Sequence, residues 1–290
     1  MNKEIKQICQ KIDYQKILNK DFYPSWFFTN EKLNEFLIKL DKTKKIERVF
    51  AIAGGNDFVF NLLSLFDVHE VDVCDKRPMS CLTTDFKIAL FKEFDYEELL
   101  KIFLDLKSNN KEQIYKRVRD KTNLLTQKVF DYIFYNCKHN NFTKCLQKSR
   151  LWYIESFNQI NNKEDYLFYF ISREKYQILQ ARTDKINIYC GDFVDNLKLF
   201  DQEHFDAIYL SNILDSKDYN SDNQLCMATV KDKLSKNGSL FIVTQGSPKK
   251  TVQYINDFGF TLLAQEIHHF NALSFLLGHY SYSFLLFQNK

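Results

Sequence analysis

Two adjacent glycines followed at a distance by an acid are the first residues here whose types and spacing could do chemistry. Gly54 and Gly55 adjoin, and Asp75 stands 21 positions after Gly54. A nucleoside needs close backbone approach at a turn, which glycine permits because it carries no Cβ. It also needs an acceptor for its ribose hydroxyls, and an acid about twenty residues beyond the glycines, at the end of a second strand, has that spacing. A Gly-Gly pair alone is also an ordinary tight turn; the pairing with Asp75 is what points to a ligand. Asn56 and Asp57 follow the glycines, where they could cap a helix or meet an amino group of the ligand. Asp192, after Gly191, could reach the amino group of a base or simply turn a loop. Ser211, Asn212 and Asp215, in LSNILD, follow a later strand at the carboxyl edge where open α/β sheets bind ligands. Asp215 is the first candidate for a catalytic base.

These residues need strands to carry them, and the chain has the pattern. IERVFAIAGG is a short apolar run ended by glycines, DFVFNLLSLF has helical spacing, and HEVDVCD is a second buried strand closing on an acid. INIYCGD ending at Asp192, FDAIYLSN ending near Asn212 and GSLFIVT ending at Thr244 repeat the logic. FTLLAQEIHHF and YSYSFLLFQ are joined by NALSFLLGH, too short for the crossover a parallel pair requires, so these two should be antiparallel. The expectation is an α/β chain with a mostly parallel, Rossmann-like, seven-stranded sheet whose last strand is antiparallel. Residues 46–91 and 181–290 form its two parts. Between them, apolar residues at i, i+3 and i+4 in FKIALFKEF, YEELLKIFLDL and NLLTQKVFDYIF predict a helical insertion over 92–180. Residues 1–45 read as an N-terminal helical extension, interrupted by DFYPSWFFTN.

An open parallel sheet finished by an antiparallel hairpin resembles the class I S-adenosylmethionine-dependent, methyltransferase-like proteins. Two stretches, AIAGGNDFVFNLL and VDVCDKRPMSCLTTDFKIALFKEFDYEELLKIF, are similar to the betaine-lipid synthase family of 3-amino-3-carboxypropyl transferases, and LSNILD resembles that family's serine-to-aspartate motif. The likeness covers about a quarter of the chain, roughly 46–104 and 205–216. It implies S-adenosylmethionine as donor and gives cofactor roles to Gly54, Gly55, Asp75 and Asp215. With that donor, Asn56 and Asp57 would meet the methionine amino group, Asp192 the adenine amino group, and one of Ser211, Asn212 and Asp215 the transferred group. One departure leaves the acceptor open: Trp26 is followed by Phe27 and Phe28 where the family tends to have acids.

Composition bounds the partners. The 290 residues are 45% hydrophobic, enough for one large domain or for one domain with an insertion. Seven scattered cysteines without a C-x-x-C spacing argue against a disulfide framework and a zinc cluster; Cys137, His139 and Cys145 come nearest to a ligand set, and no metal is expected. The charged start MNKEIKQICQ lacks the apolar core of a secretory signal, so a cytoplasmic protein is expected. Residues 101–150 hold twelve Lys or Arg against four acids within a net charge of +3. That segment is a solvated helical face or a peripheral contact with an anionic membrane surface. The expected acceptor is a small molecule or a lipid rather than nucleic acid, and the oligomeric state is open.

The leading expectation is therefore an S-adenosylmethionine-dependent transferase moving the 3-amino-3-carboxypropyl group. A methyltransferase is the alternative, an aminopropyl transferase a weaker relative, and a non-catalytic nucleic-acid-binding module the reading from another class. Tyr115, Phe130, Tyr132 and Phe134 leave room for that last reading, although their helical spacing suits packing. His268, His269, His279 and Tyr280 near the last hairpin, and Tyr23, Trp26, Phe27 and Phe28 over a sulfonium, are further candidates, with surface or core roles as their plainer readings.

Overall fold

The computed structural model describes Leu37 and residues 45–104, 111–136, 172–215, 223–245, 247–270 and 280–290. Seven strands form one sheet: β1 (Arg48–Ile52), β2 (Glu70–Asp75), β3 (Ile186–Cys190), β4 (Phe205–Tyr209), β5 (Leu234–Thr244), β6 (Phe260–Phe270) and β7 (Tyr280–Asn289). Their order is β3-β2-β1-β4-β5-β7-β6. β1 runs parallel to β2 and β4, and β4 parallel to β5. β7 is antiparallel to both β5 and β6. This is the α/β, class I methyltransferase-like sheet, and its central strands are apolar because both faces are covered: Val49, Phe50 and Ala51 of β1 and Val71, Val73 and Cys74 of β2 are all buried.

Strand ends depart from expectation. β3 stops at Cys190 and β4 at Tyr209, short of Asp192 and Asn212. The backbone itself ends them: Gly191 takes a φ of +150° and Ser211 one of +49°, neither of which continues a ladder. β5 begins earlier than GSLFIVT, at Leu234.

Two compact units are distinguished, one gathering Ala53–Leu65 with the described part of Asp75–Gly191, the other Glu35–Ile52, Phe66–Cys74 and Asp192–Lys290 in their described parts. The first holds α1 (Asp57–Leu65), α2 (Pro78–Glu93), α3 (Tyr96–Leu104), α4 (Lys111–Val118), α5 (Leu124–Asp131, continued by a π turn over Tyr132–Asn136) and α6 (Arg173–Arg182). Pro78 opens α2, where its fixed φ suits a helix and its missing N–H costs nothing. α2 runs on past position 91, where the first part of the nucleotide-binding sheet was expected to stop. The Tyr176 hydroxyl donates to Phe94 O at 2.6 Å and Arg182 Nη1 to Leu63 O at 2.9 Å, tying α6 to α2 and α1. In the helical insertion, Tyr115 stacks on Phe134 at 4.6 Å and Phe86 on Phe130 at 4.8 Å, so these aromatics form a packed cluster. The Tyr115 hydroxyl donates to Asp131 Oδ1, whose carboxylate also takes Arg119 Nε and Nη2, each at 2.8 Å. Bases of the positive segment meet acids here: Arg117 pairs with Glu93 and Glu98, Lys121 with Glu93 and Lys116 with Glu112.

In the second unit, Phe50 meets Phe193 edge-on at 5.2 Å and Phe205 at 5.2 Å. The same unit holds α7 (Phe193–Leu197), α8 (Asn223–Lys233) and α9 (Pro248–Asp257), with α7 against α8 and α9 against β6 and β7. Among the described residues no helix is long and apolar enough to cross a membrane. Tyr23, Trp26, Phe27, Phe28, Cys137, His139, Cys145 and His279 lie outside the described residues, as do the side chains of His268, His269 and Tyr280.

Candidate functional site

The chain leaves β1 through Ala53 into a tight turn. Asn56 N donates back to Ala53 O, Gly54 takes a φ of +45°, and Asn56, also left-handed at +60°, hands its carbonyl to Phe60 N as α1 begins. Glycine is required at 54 by backbone conformation, since an L side chain there is strained. It also leaves room: a Cβ placed on Gly54 would meet nothing within 4 Å.

Asp75, the last residue of β2, reaches this turn. Its Oδ2 accepts from Gly54 N at 3.2 Å and its Oδ1 from Arg77 N at 2.8 Å. Burial pushes its carboxyl above the ordinary carboxylate range, while the N–H groups of Arg77 and Gly54 hold it down. A carboxylate offers about four lone-pair sites. These two backbone donors and the Ser80 side chain, which also bonds the carboxylate, leave acceptor capacity on this half-buried side chain for a hydroxyl.

Asn56 and Asp57 separate in role. Asn56 is buried; its Nδ2 donates to Thr84 Oγ1, while its Oδ1 has no partner among the described residues. A buried acceptor without a donor is costly, so this atom suits a ligand that brings an N–H. Asp57 is fully buried as well, but its Oδ1 is paired with Lys87 Nζ at 3.2 Å. Where a contact between Asp57 and a ligand amino group was expected, one oxygen of the carboxylate faces a lysine of the protein. Lys87, on α2, also donates to Gly55 O at 2.7 Å.

In the second unit, Asp192 is the N-cap of α7, its Oδ1 accepting from Val194 N at 2.8 Å and Asp195 N at 3.3 Å. Of its two expected roles, this is the turning one, and it occupies one carboxylate oxygen. Ser211 and Asn212 lead into a single 3-10 turn, Ile213–Asp215. The Ser211 carbonyl accepts from Val243 N at 2.9 Å, and Asp215 N donates to Asn212 O. The exposed Asp215 carboxylate takes Thr244 Oγ1 at 3.1 Å and Gln245 N at 2.6 Å. It thereby pins the turn after β4 to the end of β5.

Sequence reasoning missed Lys87, Thr84, Thr244 and Gln245. Lys87 had a signal: it lies three and four positions from Thr84 and Thr83 and four from Phe91, all on the buried face of α2, so a lysine there had to find a buried acceptor. Thr244 and Gln245 had none, because their partner Asp215 is 29 and 30 residues away.

Strand order, the antiparallel β7 and a glycine turn bonded to a strand-end carboxylate define an α/β protein of the class I methyltransferase-like fold. No family model matches the chain, and no curated protein does. Solved structures do. The N-methyltransferase NodS from Bradyrhizobium japonicum WM9, in complex with S-adenosyl-L-homocysteine, is 10% identical over 99% of this chain and 98% of its own, with a TM-score of 0.41. Precorrin-6y C5,15-methyltransferase from Geobacter metallireducens GS-15 is 9% identical over 94% and 96%, with a TM-score of 0.41. Precorrin 8W decarboxylase from Methanobacterium thermoautotrophicum is 11% identical over 87% and 88%, with a TM-score of 0.40. These likenesses are distant.

Proposed function

We propose that this chain is an S-adenosylmethionine-dependent transferase that grips the cofactor's adenosine at the Gly54-Gly55 turn and Asp75. The observation that carries the reading is the bond from Gly54 N to Asp75 Oδ2, on a turn whose Gly54 has open space where a side chain would stand. A bend whose backbone a ligand can approach closely and a carboxylate with acceptor capacity left thus occupy one spot, as a ribose hydroxyl requires. Asn56 Oδ1 is the acceptor suited to the methionine amino group, now that Asp57 is engaged.

S-adenosylmethionine supplies a sulfonium centre bearing carbons open to displacement. The chain's task is to choose which carbon stands in line with the acceptor and to exclude the others, so positioning is the principal catalytic contribution. With the cofactor bound, that carbon would accept the acceptor's nucleophile as its bond to sulfur broke with the electron pair going to sulfur, and a base would take the acceptor's proton. Asp215, held by Thr244 and Gln245, is the residue proposed to orient the acceptor or take that proton.

The finer proposal is transfer of the 3-amino-3-carboxypropyl group to a lipid or small acceptor. It rests on the residues resembling the betaine-lipid synthase family. Methyl transfer is the second reading, supported by the sheet topology, which both reactions use. Titration calorimetry with S-adenosylmethionine, methylthioadenosine and S-adenosylhomocysteine tests the cofactor: the wild type should bind at least one, and Asp75→Ala should lose about tenfold or more in affinity. A wild type binding none of the three, or a variant binding equally well, overturns it. Chromatography of the nucleoside released then decides the reaction, methylthioadenosine marking 3-amino-3-carboxypropyl transfer and S-adenosylhomocysteine methyl transfer.

A further inference from the structure

Lys87 is the least expected side chain in this protein. It is fully buried on α2, inside the first unit, and its ammonium does two things at once: it donates to Gly55 O at 2.7 Å and pairs with the equally buried Asp57 at 3.2 Å. Nζ also lies 5.7 Å from the centre of the Phe60 ring. Gly55 is the third residue of the turn after β1, and Asp57 is the first residue of α1. One lysine thus holds the end of the turn and the start of the helix together from beneath.

A buried ion pair is poor value as a source of stability. Withdrawing both charges from water costs about as much as their attraction returns, and apolar replacements of similar shape are often neutral or stabilising. Burial pulls the lysine's pKa down and Asp57 pulls it back up, which reflects the same contest. What the pair does provide is direction. The Gly55 carbonyl shares a rigid peptide plane with the N–H of Asn56, which closes the turn on Ala53 O, so anchoring Gly55 O limits how the turn can rotate. Gly54 N stays aimed at Asp75, Gly54 keeps its left-handed φ, and Asn56 remains at the head of α1 with its amide nitrogen on Thr84.

We propose that Lys87 is a positioning residue for nucleoside binding, fixing the Gly54-Gly55 turn through Gly55 O and Asp57 so that the turn and Asp75 meet the ligand already arranged. The inference rests on the nucleoside-binding reading of this turn. No contact between Lys87 and the ligand is implied. Its contribution is preorganisation, which raises affinity by removing an ordering cost from the binding step.

Two variants and two readouts test it. Lys87→Met leaves Asp57 buried without its cation and is expected to lower the melting temperature. The double variant Lys87→Met with Asp57→Asn removes both charges and is expected to fold with a melting temperature close to wild type. In the double variant, the Gly54 amide should exchange with solvent about tenfold or more faster while amides in the middle of β1, β4 and β5 keep their protection. Its affinity for whichever of S-adenosylmethionine, methylthioadenosine and S-adenosylhomocysteine the wild type binds best should fall by about tenfold or more. Gly54 exchange and affinity both equal to wild type would overturn the proposal. Loss of protection spread evenly over the strands would overturn it too, as that is what a purely structural pair predicts. If the wild type binds none of the three nucleosides, the cofactor reading fails, and Gly54 exchange alone decides: unchanged exchange removes the positioning role, while selective acceleration upholds control of the turn.

Discussion

At the scale of single residues, the glycine turn and Asp75 make opposite demands on stability and binding. Gly54→Ala meets no neighbour, because the space beside Gly54 is open, yet its φ of +45° strains any L residue. Urea unfolding should show a loss of about 1–2 kcal/mol. Calorimetry should show weaker nucleoside binding as well, since the added methyl occupies the ligand's approach. For Asp75 the sign follows from its raised pKa. The folded state holds this proton more tightly than the unfolded chain, so the group favours folding most below the ordinary value of 3.8, and that contribution fades as pH rises through the folded pKa. Hydroxyl binding runs the other way. The ionised carboxylate is the better acceptor, so nucleoside affinity should decline on acidification, beginning above pH 3.8. Calorimetry across a pH series, with Asp75→Asn as the comparison lacking this decline, measures it. Both residues were legible in the sequence because glycine and aspartate here act through the backbone and over one strand–turn–helix–strand unit. Lys87 was legible only as a lysine on the buried face of α2; which acceptors it meets is decided by the tertiary structure.

Elements set what those residues can reach. α7 begins at Asp192, whose carboxylate satisfies two of the N–H groups that a helix start leaves unpaired. Asp192→Ala should cost about 1 kcal/mol, and Asp192→Asn far less, as asparagine caps comparably; chemical denaturation separates the two. If Asp192 also serves the adenine amino group with its other oxygen, Asp192→Ala loses nucleoside affinity in addition. The interiors of elements were the legible part. β6 spans the same residues as FTLLAQEIHHF, and the short link after it made β7 antiparallel. Element ends were less legible. β3 and β4 stop early because Gly191 and Ser211 adopt left-handed or otherwise non-strand backbone, a property of the loop's closure rather than of residue pattern. The aromatic spacing around Tyr115 showed a helix but not which rings would stack; Tyr115 on Phe134 is settled by the meeting of α4 with the π turn after α5.

At the scale of the whole molecule, β7 holds the end of the sheet together. It pairs on one side with β5 and on the other with β6, and Tyr282 through Phe287 are buried. Lys231 Nζ adds a bond to the Asn289 side chain, and Asn289 Nδ2 donates to Leu234 O. Removing residues 280–290 would strip β5 and β6 of their shared partner and expose both to edge pairing. The truncated chain should be insoluble or lose its cooperative thermal transition, which size-exclusion chromatography and calorimetry would register. Charge distribution taught the opposite lesson. The basic surplus over 101–150 is plain in the sequence, but in the described part Lys116, Arg117, Arg119 and Lys121 meet acids, two of which, Glu93 and Glu98, precede that segment. The amino-acid order by itself determined the alternation of strand and helix, the hairpin at the end and the pairing of glycines with an acid, because each depends on local periodicity and short loops. Only the tertiary structure decided that Asp57 faces Lys87, that Asp192 caps a helix and that Asp215 is bound by the end of β5. Asp57 and Asp215 find partners 30 residues away, and for Asp57 the low dielectric of the interior forces the charge to find a counterpart; the Asp192 cap depends on where the local backbone starts a helix.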